Sequence, residues 1–484
     1  MLDFVIENTN NFIASVPKSK RKEYGQFFTS KASARFMAEM FDVDLTLPEI
    51  HLLDAGCGTG LLTAAWIDMV RRRGYEGRIR VTCYETDTKV IPILMQNLEH
   101  IKACADVEYE VKVENYLTTQ QFEANDLFAE EPVQYDYVIG NPPYKKIAKD
   151  APEAKAMPSV CYGAPNLYSL FCCMGIRNLK EGQEMVYIIP RSWTSGAYFD
   201  YFRRYLLSNS VLTDIHLFAS RDKVFDGESV LQETMIVKLR KTTQKPASIR
   251  VTTSSTSDFS DVQSFEAPYD IIVGRNRYVY LVTSKEQANV LTRINKMPAT
   301  LPDINMPMKT GLIVDFRTRE ELRDEMAEGC YPLLYSHHIQ DGRVVWPLGK
   351  EGECIMTKQK SHLQRNGNYL LVKRFTAKEE KRRLQCGIYL QQRYPKYDYI
   401  STQNKVNFIS CDSPCITYGL YVLLNSTLYD DYYRILNGST QVNSTEINTI
   451  PIPERCTIEE MGRALMHQEL TVANCNKIID QWIR

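Results

Sequence analysis

The stretch Leu52-Leu53-Asp54-Ala55-Gly56-Cys57-Gly58-Thr59-Gly60, followed by the helical pattern Leu61 to Ala65, restricts this chain more than any other. An apolar strand, an acid, a glycine-rich bend and a helix open a doubly wound α/β sheet. Gly56, Gly58 and Gly60 can adopt φ > 0 and let a ligand approach the backbone closely. The helix that follows aims its first N–H groups at the bend, which suits an anion such as a carboxylate. The fingerprint for dinucleotides is G-x-G-x-x-G. Here it is G-x-G-x-G after Asp54, which speaks for a smaller adenosyl ligand. Arg78 to Tyr84 (RIRVTCY) reads as the second strand and ends in Glu85. An acid there commonly grips ribose hydroxyls; a solvated loop acid fits the position equally well.

The second informative stretch is Asn141-Pro142-Pro143-Tyr144, after the strand-like run Tyr135 to Gly140 (YDYVIG). Neither proline has an N–H for a sheet ladder, so the chain must leave the sheet there on a rigid backbone. Carbonyls freed at that exit, the Asn141 side chain and the Tyr144 ring could together hold a planar amine. Acceptors would lie in its plane, and an aromatic would stack against it. Alone, the tetrapeptide is also compatible with an ordinary turn. The glycine loop upstream is what favours a site.

These motifs, in this order, resemble the gamma-class, TaqI-like DNA adenine N6-methyltransferases. Gly25-Gln26-Phe27-Phe28-Thr29-Ser30 resembles the family's G-x-F-x-T-P, with Ser30 in place of proline. Glu114-Asn115-Tyr116-Leu117 stands where D-F-L is usual, so Asn115 replaces an aspartate. Asn166 to Phe171 and Met185 to Pro190 match the next helix and strand, and Phe225 aligns with the aromatic that packs on the target base. Thr310 to Arg317 and Asn437 to Asn443 look like the BsuBI/PstI group of type II modification methylases. The resemblance implies a Rossmann-like methyltransferase sheet with a C-terminal mixed α+β DNA target-recognition domain. It implies S-adenosyl-L-methionine as cofactor, held by Thr29, Asp54, Gly56, Gly58, Gly60, Glu85, Asn115 and Phe171. Asn141, Pro142, Pro143, Tyr144 and Phe225 would serve a flipped-out adenine in double-stranded DNA, and the BsuBI/PstI likeness points to CTGCAG. A protein glutamine N5-methyltransferase, which holds an amide with a similar NPPY, is the alternative. The long C-terminal region speaks against it.

At 484 residues and 44% hydrophobic content the chain can bury more than one core. We expect a catalytic domain over 1–245, a connecting segment over 246–300 that includes a Ser/Thr-rich loop at Val251 to Ser264, and target recognition over 301–484. Leu423 to Leu436 reads as one helix closed by Asn437-Gly438, and Thr457 to Arg484 as another. No run has transmembrane length, and the first residues lack a signal pattern. Thirteen scattered cysteines without a paired framework suggest a reducing cytoplasm. No C-x-x-C pair exists, so no metal is expected. Net charge is −1, so a DNA contact must come from local basic runs. Lys18 to Lys22 and Lys145, Lys146 and Lys149 qualify. So does Lys358 to Arg383, with nine lysines and arginines against two glutamates. Tyr389 to Tyr399 suits nucleic-acid contact or a tyrosine-rich core edge. No spare segment resembles a nuclease, so a cognate endonuclease would be a separate chain. A single chain reading a palindrome would act as a monomer on DNA.

Overall fold

Parallel strands buried on both faces set the plan of the N-terminal half, as their unbroken apolar runs require. The computed structural model describes residues 1–15, 29–123, 132–218, 234–274, 276–377, 380–436 and 441–483, with the backbone alone of Ala197. It divides into two units, Met1–Thr283 and Ser284–Arg484. In the first, β1 (Glu49–Ala55), β2 (Arg78–Tyr84), β3 (Val107–Lys112), β4 (Tyr135–Gly140) and β5 (Leu179–Pro190) are joined by β6 (Val211–Phe218), β7 (Thr234–Arg240), β8 (Ser248–Ser254) and β9 (Gln263–Pro268). They form one nine-stranded sheet, ordered β3-β2-β1-β4-β5-β7-β6-β8-β9. β1 pairs in parallel with β2 on one side and with β4 on the other. The strand order therefore reverses between β1 and β4, and a ligand crevice belongs at their carboxyl ends. The core beside β1 holds Trp66 and Tyr137, with Phe41 edge-on to both.

This corrects one expectation about the domain junction. Only 255–262 of the Val251 to Ser264 stretch is a loop, because its ends belong to β8, which pairs in parallel with β6, and to β9, which pairs antiparallel with β8 and extends the sheet. Ile249 and Val251 are buried while their Ser and Thr neighbours pair across the edge, a half-buried pattern that composition concealed. The first unit therefore runs to Thr283, past the expected boundary at 245.

The second unit has two sheets, of six and five strands, most of them short. The helix Pro414–Asn425 packs on the helix Arg455–Leu465 with no room for side chains at the crossing. A Cβ on Gly419 would stand 1.9 Å from the Ile458 carbonyl oxygen, and one on Gly462 1.8 Å from that of Cys415. The expected helix over 423–436 is interrupted. Ser426 takes extended dihedrals and starts a new helix, Thr427–Leu436. Its hydroxyl donates to the Leu423 carbonyl and accepts from the Tyr429 N–H. Asn437 and Gly438 lie outside the described residues. The last segment is likewise two helices, Arg455–Leu465 and Val472–Trp482.

Polar clasps join the loops of this unit. Glu353 accepts from the Leu348 and Gly349 N–H groups and, at 2.7 Å, from His338 Nε2. His338 Nδ1 accepts from the Tyr335 N–H at 2.9 Å, so its proton sits on Nε2. Burial holds this imidazole neutral, its pKa pushed down to about 4. His337, His338 and Glu353 have the residue types of a cation site among the described residues. Both His338 nitrogens are already engaged, and the group is a clasp. Among the described residues no helix is long and apolar enough to cross a membrane. All thirteen cysteines are unpaired.

Candidate active site

The register of the sheet brings the two motifs together. Asp54 on β1 lies beside Ile139 on β4, so two residues later Gly56 and Asn141 leave the sheet as neighbours. Gly56, Gly58 and Gly60 have φ of 71°, 55° and 80°, which a side chain would strain. The Gly56 and Cys57 N–H groups bond the Tyr84 carbonyl, pinning the bend to the end of β2. Gly60 is the left-handed cap of the helix Leu61–Arg72. Glu85 follows β2 directly. It accepts from the Gly58 N–H at 3.0 Å and from those of Thr86 and Asp87 at 2.8 Å each. Burial pushes its carboxyl above the usual range, and the three N–H groups pull against that rise.

A cavity of about 470 Å³ opens on this bend. Of the residues expected at the site, Thr29, Gly56, Gly58, Glu85, Asn115, Asn141, Pro143 and Phe171 line it. Asn141 donates from Nδ2 to the Thr29 hydroxyl at 3.1 Å, linking two motifs far apart in the chain. Four expectations change. Asp54 lies under the loop, fully buried, with its Oδ2 accepting from the Thr63 hydroxyl at 2.8 Å. Burial raises its pKa to about 7, so it supports the loop from beneath. Gly60 shapes the bend without lining the cavity, and Pro142 is buried behind the rim. Tyr144 is 7% exposed and its hydroxyl donates to the Ile188 carbonyl at 3.0 Å. That bond draws the ring toward β5, so it braces the rim. Phe225, Gly25 to Phe28 and Lys18 to Lys22 lie outside the described residues.

Comparison with known proteins decides what the site belongs to. Residues 61–225 match the Eco57I restriction-modification methylase family. The chain is 34% identical to the type II methyltransferase M.PstI of Providencia stuartii, over 99% of this chain and 96% of that one. It is also 34% identical to the type II methyltransferase M.BsuBI of Bacillus subtilis, over 92% of this chain and 90% of the other. The chain belongs to the type II methyltransferases of restriction-modification systems. A solved structure of the type IIL enzyme MmeI in complex with DNA aligns with 99% of this methyltransferase and 73% of that chain. Its TM-score is 0.50 and its identity 12%, a likeness of fold.

S-Adenosylmethionine is therefore the cofactor, and the cavity of this methyltransferase fits it. The loop backbone runs beside Phe171, where a Cβ on Gly56 would stand 3.5 Å from the ring, and the φ of 71° at Gly56 favours glycine. Phe171 offers an aromatic edge for a purine, and Glu85 an acid for ribose hydroxyls. Asn115, in place of aspartate, accepts the Leu117 N–H at 3.0 Å and donates to Glu153 at 2.8 Å.

Thr9 and Glu153 are among the lining residues that sequence reasoning missed. Thr9, on the helix Leu2–Ser15, shares a hydrogen bond with the Thr59 hydroxyl at 2.7 Å. Glu153 sits in the first turn of the helix Pro152–Ala156. Neither stands in a recognisable motif. Pro152 marks a helix start, which is the one signal that could have drawn attention to Glu153.

The basic runs divide. Lys145 lines the cavity and is exposed, as are Lys146 and Lys149. In the Lys381-Arg382-Arg383 triple the arginines turn inward. Arg383 is 1% exposed and stacks 5.7 Å over Tyr433, while Arg382 donates to the Ser426 carbonyl at 3.0 Å. Asp430 accepts the Arg383 and Leu384 N–H groups, which anchors the turn. These two arginines hold the fold. Lys373 and Arg374 are partly exposed. Tyr389 stacks on Tyr394 at 4.9 Å and is buried, so that part of the tyrosine-rich segment is a core edge.

Proposed function

We propose that this methyltransferase modifies the N6 of an adenine flipped out of duplex DNA, within CTGCAG. The observation that carries the reading is the placement of Asn141 at the end of β4, on the wall of the same cavity as the glycine loop and Glu85. When bound, S-adenosylmethionine supplies an electrophilic methyl group on a sulfonium. An exocyclic amine is a poor nucleophile because its lone pair is delocalised into the ring. An acceptor at Asn141, aimed at an amine N–H, favours the pyramidal nitrogen and strengthens as positive charge develops there. The Thr29 hydroxyl fixes the amide, and the Tyr144–Ile188 bond keeps the Pro142-Pro143 rim rigid. These groups hold the reactants in line. No strong base is required before transfer, since the proton leaves a nitrogen that has become cationic.

Flipping the base costs a few kcal/mol. Phe225, by its motif position, is the proposed stacking partner that offsets this. The target sequence rests on likeness to two full-length relatives. A monomer serves one strand per encounter, so half-methylated sites remain substrates, and a cognate endonuclease would be a separate chain.

Plasmid from cells making the protein should resist PstI, and its nucleosides should contain N6-methyladenine by mass spectrometry. Full cleavage with methylation elsewhere would retire CTGCAG. N4-Methylcytosine in place of N6-methyladenine would retire the base assignment. Glu85→Ala should weaken S-adenosylmethionine binding without unfolding the chain, read by calorimetric titration.

A further inference from the structure

We propose that Glu153 recognises the 6-amino group of the cofactor's adenine and thereby sets this site's preference for adenosyl over other purine nucleosides. The inference rests on the cavity being the S-adenosylmethionine site. The polar side chains that line the cavity beyond β3 include Asn115 and Glu153. The Leu117 N–H donates to Asn115 at 3.0 Å, and a backbone N–H can only donate. The amide oxygen must therefore face Leu117, which turns the amide nitrogen toward Glu153 at 2.8 Å. Asn115 spends one of its amide oxygen's two acceptor positions on its own backbone and turns its N–H toward Glu153. A purine 6-amino group is itself two N–H bonds and needs an acceptor.

Glu153 supplies one. A carboxylate offers about four acceptor positions and no donor. Asn115 occupies one of them, and the residue is half-buried at the cavity wall. The pairing also explains the amide at 115. An aspartate there would bring a second carboxylate within hydrogen-bond distance of Glu153, and neighbouring carboxylates disfavour each other's ionisation. Asn115 instead donates a hydrogen bond to Glu153. The acceptor stands on the helix after the NPPY turn. Hypoxanthine carries a carbonyl where adenine carries the amine and would be repelled by Glu153, so the residue separates the two bases.

Calorimetric titration of the full-length protein with S-adenosylhomocysteine and with S-inosylhomocysteine tests this. The unaltered protein should prefer the adenosyl compound by roughly ten- to a hundredfold, the worth of a hydrogen bond to a charged group. Glu153→Ala should compress that ratio several-fold, mostly through weaker adenosyl binding. Adding Asn115→Asp to Glu153→Ala should restore it, because the carboxylate returns without its rival. A full ratio in Glu153→Ala or equal loss of both ligands would overturn the proposal. If the unaltered protein binds neither compound, the assignment of the cavity itself has failed.

Discussion

The two units of this methyltransferase hold together by different means. The first is organised by strands such as β4, buried along its whole length, and β5, which runs twelve residues. Its site lies where those strands end. The second has strands of two to six residues and depends on close helix contact and on polar side chains spent on backbone N–H groups. Glu353 and Asp430 each tie two or more such groups, as Glu85 does on the cavity wall of the first unit. The difference separates chemistry from cohesion. In the first unit a polar substitution at the cavity should remove activity and spare the fold. In the second, polar and glycine positions carry stability.

The largest expected effect tests the first half of that contrast. Asn141→Ala should lower methyl transfer roughly a hundred- to thousandfold, the scale for one oriented hydrogen-bonding group at a reacting centre. Tritium transfer measures the rate, and binding of DNA and cofactor should change little. A large fall in melting temperature would show that Asn141 holds structure instead.

Gly462→Ala tests the second half. Its Cβ would overlap the Cys415 carbonyl, so about 3 kcal/mol of stability should be lost. Gly74→Ala, where no atom lies within 4 Å, should cost about 1 kcal/mol, from its φ of 87° alone. Scanning calorimetry that finds the two equal would remove the special closeness of the helix pair.

Acid should affect both units alike. His216 in the first is fully buried between the hydroxyls of Thr252 and Ser254, and burial pushes its pKa down to about 4. His338 in the second is held at about 4 in the same way. Both take up a proton near pH 6.5 when unfolded, so the unfolded state binds more protons between pH 6.5 and 4. Stability present above that window should fall through it by roughly 3 kcal/mol per histidine. Urea unfolding at pH 7, 5.5 and 4.5 measures the slope, and a stability independent of pH over that range would contradict the buried neutral rings.

The smallest effect concerns DNA. Replacing Lys373 and Arg374 by alanine should weaken binding to every sequence and lower the salt slope by roughly 1 to 2 units. Arg383→Ala should destabilise the second unit instead, because its side chain is buried against Tyr433. A salt slope that responds to Arg383 and not to Lys373 and Arg374 would reverse this division of the basic run.

Sequence alone determined what local backbone chemistry dictates. Glycines at 56, 58 and 60 allowed a left-handed bend, and Pro142-Pro143 marked the end of a strand. The order of these motifs named the family before any coordinate was considered. Tertiary structure decided which side chain meets which. The β1–β4 register set Gly56 beside Asn141, and Ile188 on β5 drew Tyr144 into the wall. Asn115 found Glu153, 38 residues away. Asp54 and Arg383 went inward where charge alone suggested a surface. A motif is legible when its cause lies in a few consecutive dihedral angles. Partner and burial depend on contacts between distant segments, which no local pattern encodes.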